Sequence, residues 1–206
     1  MTKRASHVLV LASTSPRRRE LLTQANFEFE VIPPGESGVD ETPKKNESPH
    51  EYVARLAQAK AQAGWNSLAD EKKKERILVL GADTTVTIDG LIMEKPLDAA
   101  DATRMLNALS GKTHQVLTGL CLCNQHRQES MVSRSFVHFE TLTDQEIAAY
   151  IESGEPFDKA GAYGIQGRGA LFIKHLEGSY SGVVGLPLYE LSKLLQRFEE
   201  KRSKVD

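Results

Sequence analysis

Apolar residues along this chain follow two different periods, and the alternation lays out its elements. Residues 7–12 form a nearly unbroken apolar run that predicts a buried strand. It runs into Ser13-Thr14-Ser15-Pro16, where Ser15 is placed to cap a helix and Pro16 to open it. Residues 28–32 predict a second short strand, and residues 33–49 a long polar loop rich in Pro, Gly and Ser. Ser48-Pro49 with Glu51 is a capping box, and Tyr52, Val53, Leu56 and Ala57 then keep helical spacing. That pattern fades into a charged surface stretch at 69–74. Residues 77–80 predict an apolar strand, residues 84–88 are β-branched, and Asp89-Gly90 signals a hairpin turn. Asp98 caps a helix whose apolar face is Ala102, Met105, Leu106 and Leu109, with Gly111 past its end. Residues 114–123 and 130–140 predict two long strands. Thr143 and Glu146 make a second capping box ahead of Ile147, Tyr150 and Ile151. A glycine-rich segment at 158–169, a strand-like run at 170–176 and a helix over 187–198 complete the pattern, with a charged tail from about 199. Strands and helices mix without strict alternation, which predicts one mixed-sheet α/β or α+β domain over residues 1–206.

Composition narrows the classes. The 206 residues carry 26 Lys+Arg against 28 Asp+Glu, a net charge of −2 that disfavours a general polyanion binder. No apolar run approaches the length of a membrane span, and the basic start at residues 1–4 has no apolar region behind it, so neither a membrane segment nor a signal peptide is expected. Two cysteines make no disulfide framework, and a reducing, cytoplasmic setting is the expectation.

Four features stand out chemically. Arg17-Arg18-Arg19 opens a helix whose dipole disfavours cations there, which suits a bound phosphate or else a merely solvated basic end. Asp83 follows an apolar strand, where an acid reaches a sheet-edge cleft and holds a metal or water, or simply closes a turn. Lys60 shares the helix face of Tyr52 and Leu56, so its ammonium either snorkels to solvent or faces a phosphate. Lys95, forced into an extended conformation by Pro96, either projects from a strand end or is an ordinary surface lysine. In the long loop, Asp40-Glu41 is an acid pair of the kind that holds Mg²⁺ through few direct ligands, or else simply solvated. Ser110-Gly111-Lys112-Thr113 is not a P-loop, because position 106 is Leu106 instead of glycine. The histidines show no zinc spacing, and Cys121 and Cys123 point to one side of a strand, toward the core.

Eight segments in register carry a resemblance across about residues 8–195. They are Leu11-Ala-Ser-Thr-Ser-Pro-Arg-Arg-Arg-Glu-Leu-Leu22, Val39-Asp-Glu41, Leu56-Ala-Gln-Ala-Lys-Ala61, Gly81-Ala-Asp-Thr84, Glu94-Lys-Pro96, Leu109-Ser-Gly-Lys-Thr-His114, the run from Asp158 to Gly167, and Val184-Gly-Leu-Pro187. Together they resemble the Maf family of nucleoside triphosphate pyrophosphatases. The resemblance implies an elongated mixed sheet flanked by helices, with two lobes around a deep nucleotide-binding cleft. It implies hydrolysis between the α and β phosphates with a divalent cation, Mg²⁺ or Mn²⁺. By position, Ser13, Ser15, Arg17 and Arg18 would hold phosphates, and Lys60 and Lys95 would reach the same triphosphate. Glu41 and Asp83 would hold the metal, with Asp83 the proton acceptor. Arg17, Thr84 and Gln166 would select the base, in the manner of the branch that prefers dTTP and UTP. Gln58-Ala59 stand before Lys60 where an acid is common in the family.

The implied ligand is a small nucleotide, with no nucleic acid and no membrane, and homodimers are common in the family. The family is also linked with arrest of septum formation, which implies an alternative: a regulator that senses nucleotide by binding. The acid pair Glu41 and Asp83 favours the enzyme, because carboxylates beside a polyphosphate repel it unless a metal intervenes.

Overall fold

The computed structural model describes residues 7–33, 38–73 and 76–200. The basic start at 1–4, residues 34–37 of the polar loop, Lys74 and the tail beyond 200 lie outside the described residues. Strand β1 (Val8–Ala12) leads into helix α1 (Pro16–Gln24) and strand β2 (Phe29–Ile32). Helix α2 (Pro49–Ser67) is followed by a single turn, α3 (Asp70–Lys73), in the stretch read as a charged surface. Strand β3 (Ile77–Ile88) turns through Asp89 and Gly90, at φ 52° and 79°, into β4 (Leu91–Met93). Helix α4 (Ala99–Leu109), strands β5 (Thr113–Cys123) and β6 (Gln128–Phe139) and helix α5 (Asp144–Glu152) come next. Three 3₁₀ segments then lead to β7 (Ile173–Glu177), α6 (Tyr180–Val184) and α7 (Leu188–Glu200).

Both capping boxes form: Ser48 and Thr143 each accept from the backbone N–H three residues on, and Glu51 and Glu146 reach back. Asp98 caps α4 through Asp101 N at 2.8 Å. Three expectations are corrected. The strand expected over 170–176 begins only at Ile173, because the glycine-rich segment continues as a 3₁₀ turn over Arg168–Phe172. Helix α6 was not foreseen; five residues are too few to show a period. Ser15 stands at the N-cap of α1 but its hydroxyl caps nothing, so the first turn of that helix keeps no side-chain cap.

The seven strands form one mixed sheet in the order β2-β1-β3-β5-β6-β7, with β4 on β3. Strands β2, β1 and β3 are parallel and the rest pair antiparallel. Two apolar clusters pack on opposite faces of one end of the sheet. One joins β1, β3 and β5 to α1, α6 and α7, and the other joins the same strands to α2. A third cluster, with α4, α5, Phe139 and Tyr163, builds the far end. These are two lobes sharing a single sheet, and the site lies where they meet.

Candidate functional site

The meeting place is set by strand register. Strand β3 pairs with β5 along nearly its whole length, from Val79 to Thr87. On its other edge β1 covers only Ile77 to Leu80, and β4 covers only Val86 to Ile88. Residues 81–85 therefore have no strand beside them on that edge. Asp83 sits in this gap, in the middle of a twelve-residue strand. That corrects the expectation of an acid at a strand end: β3 does not stop, its neighbour β1 does. The cleft opening here has a volume of about 600 Å³ and is lined from both lobes, including Ser13, Arg17, Arg18, Glu41, Lys60, Asp83, Lys95 and Gln166.

On the α2 face of the sheet, Lys60 bridges two acids. Its Nζ lies 2.6 Å from Asp83 Oδ1 and 2.6 Å from Glu41 Oε1. Lys60 therefore does not snorkel to solvent, and the groups its ammonium meets are carboxylates of the chain itself. Helix α2 comes close enough for this because glycines face it. A Cβ on Gly81 would lie 2.3 Å from Ala57 O, and one on Gly119 would lie 2.3 Å from Val53 O. Burial pushes the Asp83 carboxyl above its ordinary value, against the pull of Lys60 and Arg18.

On the other face, Arg18 is locked into place. Its Nε donates to Gly185 O at 2.9 Å, Nη1 to Ser13 Oγ at 3.2 Å and Nη2 to Thr84 Oγ1 at 3.4 Å. Thr84 Oγ1 also lies 3.0 Å from Thr118 Oγ1, which donates to Gly182 O at 2.8 Å. Ser15 N donates to Ser13 Oγ at 3.2 Å. Arg17 instead crosses the cleft mouth to Asp158 at 2.9 Å, and Lys159 pairs with the same carboxylate. Lys95 is exposed on the cleft wall and has no partner among the described residues. Gln166 lines the wall contributed by the glycine-rich segment.

All ten residues expected at the site line this one cleft. Others were missed. Tyr52, read only as core, presents its hydroxyl to Glu41 O at 2.9 Å and to Glu94 Oε1 at 2.6 Å. Burial and the neighbouring Glu94 raise its pKa, so the phenol stays protonated. Asp158 and Lys159 open the Asp158–Gly167 run and join Arg17 in a charged cluster that the sequence does not signal. The paired glycines of β3 and β5 gave no local signal, because their constraint comes from a helix elsewhere in the chain.

Glu41 and Asp83 offer hard oxygen donors converging on one point, now shared through an ammonium. Such a pair, completed by phosphate oxygens and water, suits Mg²⁺ or Mn²⁺. No cluster of three or more His, Cys, Asp or Glu side chains fit to hold a metal occurs among the described residues. A cation would therefore rest on two protein carboxylates and on ligand oxygens. Among the described residues, no helix is long and apolar enough to cross a membrane.

Known proteins can now be set beside this geometry. A dTTP/UTP pyrophosphatase of Aromatoleum aromaticum is 50% identical over 201 residues, covering 92% of this chain and 95% of that protein. The Vibrio cholerae protein of the same name is 52% identical, covering 92% and 97%. That of Salmonella typhimurium is 49% identical, covering 96% of each. A looser likeness links the chain to a HAM1 protein from Coxiella burnetii, 17% identical with a TM-score of 0.41 over 65% of this chain and 73% of that one. The family model described as Maf-like protein matches residues 8–198, and the chain belongs to that family.

Proposed function

We propose that the cleft hydrolyses dTTP and UTP between the α and β phosphates, giving the monophosphate and pyrophosphate. The observation that carries this reading is the division of charge across one gap in the sheet. Arg18 and the uncapped start of α1 stand on one side, and Lys60 with Glu41 and Asp83 on the other. The names of the relatives supply the nucleotides.

Arg18 and the backbone of the Ser13–Ser15 turn hold the phosphate chain, and Arg17 exchanges Asp158 for a phosphate oxygen. Lys95 and Lys60 neutralise charge that builds on the bridging and leaving oxygens. Asp83 orients a water toward the α phosphorus and takes its proton as the new P–O bond forms. The α–β bridging bond then breaks and its electrons leave with pyrophosphate. Burial, which raises the Asp83 pKa, makes it a better acceptor than an exposed aspartate. A divalent cation bound by Glu41 and Asp83 would supply Lewis-acid polarisation of the phosphates. Gln166 reads the base through an amide that serves both donor and acceptor edges of a pyrimidine. Thr84, fixed to Arg18 and Thr118, acts on the base through the Arg18 side of the cleft.

The test is pyrophosphate release from dTTP, UTP, CTP, GTP and 7-methyl-GTP with Mg²⁺ or Mn²⁺, beside Asp83→Asn. The expected result is turnover of dTTP and UTP that falls by roughly 10²–10⁴ in the variant. Turnover confined to a purine nucleotide would refute the substrate assignment, and an active Asp83→Asn would refute the proton acceptor.

A further inference from the structure

Glu41 lies in a loop with no regular secondary structure, and its side chain is 52% exposed. Its ion pair to Lys60 is all that its carboxylate contributes to holding it there. The backbone carbonyls around it are held more firmly, by side chains of α2. The Arg55 guanidinium donates from Nη1 to Asp40 O at 3.1 Å and from Nη2 to Thr42 O at 3.1 Å. The Tyr52 hydroxyl reaches the carbonyl between them, Glu41 O, at 2.9 Å. Three successive carbonyls are thus bound by two side chains one helical turn apart. Arg55 is itself fixed by a two-pronged pair with Glu47, at 2.6 Å and 2.8 Å, and the Glu47 side chain is only 8% exposed. Glu47 also accepts from Lys44 N at 2.9 Å, which closes the loop on itself.

Resting on the pyrophosphatase reading, we propose that Arg55 is a positioning residue. It fixes Glu41 opposite Asp83 by gripping the main chain on both sides of it, with Glu47 as its anchor. The helix that carries Lys60 then also sets where Glu41 stands, so Lys60 and Glu41 are referenced to one rigid element that packs on the strand carrying Asp83. Nothing but a guanidinium serves this purpose. Four acceptors lie around one planar group, and the point charge of a lysine reaches at most part of them. A displacement of about 1 Å at a reacting group costs on the order of 100-fold in rate, so the grip bears directly on turnover.

The experiment uses Arg55→Lys and Glu47→Gln in the full chain. Amide hydrogen exchange over residues 40–46 is read without metal or nucleotide. The kinetics are read with dTTP across a Mn²⁺ titration. Arg55→Lys is expected to speed exchange in that loop at least tenfold while the melting temperature stays within about 3 °C. Its kcat is expected to fall roughly 100-fold with KM little changed, and half-activation to need more Mn²⁺. Glu47→Gln, which touches no substrate-facing group, moves every readout the same way by less, and carries the test should Arg55→Lys not fold. Unchanged kcat with a loosened loop overturns the proposal. So does a lost kcat with the loop exchanging as in the wild type. An absence of turnover in the wild type would sink the pyrophosphatase reading alone, and the exchange rates would still decide the grip.

Discussion

Substituting Gly119 by alanine tests how the site is spaced. Gly119 pairs with Asp83 across the two central strands and faces α2. An added Cβ would stand 2.3 Å from Val53 O and 2.7 Å from Val53 C, where ordinary contact begins at 3.4 Å. Both atoms are backbone of Val53 in α2, and Gly119 itself is in mid-strand, so no side chain can swing aside. The helix must back off the sheet by about 1 Å, the difference between contact and clash. Overpacking of this kind costs about 1–3 kcal/mol, which in a chain of this size lowers the melting temperature by roughly 3–10 °C. The kinetic effect should be larger than the stability effect suggests. Lys60, Tyr52 and Arg55 ride on α2 and carry Glu41 with them, while Asp83 stays in the sheet. The 2.6 Å contact from Lys60 to Asp83 would then stretch beyond hydrogen-bonding range, unless the lysine stem gives way. The expected outcome is a folded variant whose kcat/KM for dTTP is down about 100-fold at a temperature well below its melting point. Circular-dichroism melting and a pyrophosphate-release assay measure the two quantities. Wild-type melting would mean that the helix does not rest on this glycine. A lowered melting temperature with kcat/KM within threefold of wild type would mean that the helix-to-sheet distance does not govern the site.

Two further perturbations probe separate parts of the molecule. Arg18→Lys keeps the charge but cannot reach Ser13, Thr84 and Gly185 together, so kcat/KM should fall about 10- to 100-fold in steady-state assays. His114 is buried against Phe139 and Tyr163, and burial pulls its pKa down to about 4. The folded state therefore resists protonating it, and stability present above about pH 6.5 should be lost as pH falls from 6.5 toward 4, by about 3 kcal/mol at most. Urea titrations across that window should show this slope in the wild type and its loss in His114→Gln; equal slopes would refute the assignment.

What the sequence reveals follows the range of the interactions. The capping boxes at Ser48 and Thr143, the Asp98 cap and the Asp89-Gly90 turn are local, and each stands where its residues predict. The site residues were legible because the anomalous arginines and the acid pair sit in recognisable segments. The continuity of β3 was not legible. Gly81 interrupts its apolar run and reads as a break, whereas α2 packs against it. Ser15 and Pro16 carry the right local signal for a capped helix, yet the hydroxyl of Ser15 makes no cap. Arg55 and Glu47 are eight residues apart in an unremarkable polar stretch, and only the fold of the loop turns them into one unit.

The charges lining the cleft bear on why acids and cations share it. Five cations line it, Arg17, Arg18, Lys60, Lys95 and Lys159, against four acids, Glu41, Asp83, Glu94 and Asp158. Most of that charge is already spent internally, since Asp158 holds Arg17 and Lys159, and Lys60 is shared between Glu41 and Asp83. A triphosphate with about four negative charges must therefore compete with the carboxylates of the chain itself. Two unit charges 4 Å apart repel by about 4 kcal/mol at an effective dielectric of about 20, and Lys60 cancels only part of this. Without a divalent cation, each carboxylate is a cost to nucleotide binding. Asp83→Asn should then bind dTTP about tenfold more tightly than the wild type in EDTA, a gain of about 1.4 kcal/mol, although its turnover falls by roughly 10²–10⁴ when Mn²⁺ is restored. Titration calorimetry in EDTA measures the first half. Equal or weaker binding by Asp83→Asn would show that Lys60 alone neutralises the acid pair, and the case for a cation at Glu41 and Asp83 would lose its electrostatic basis.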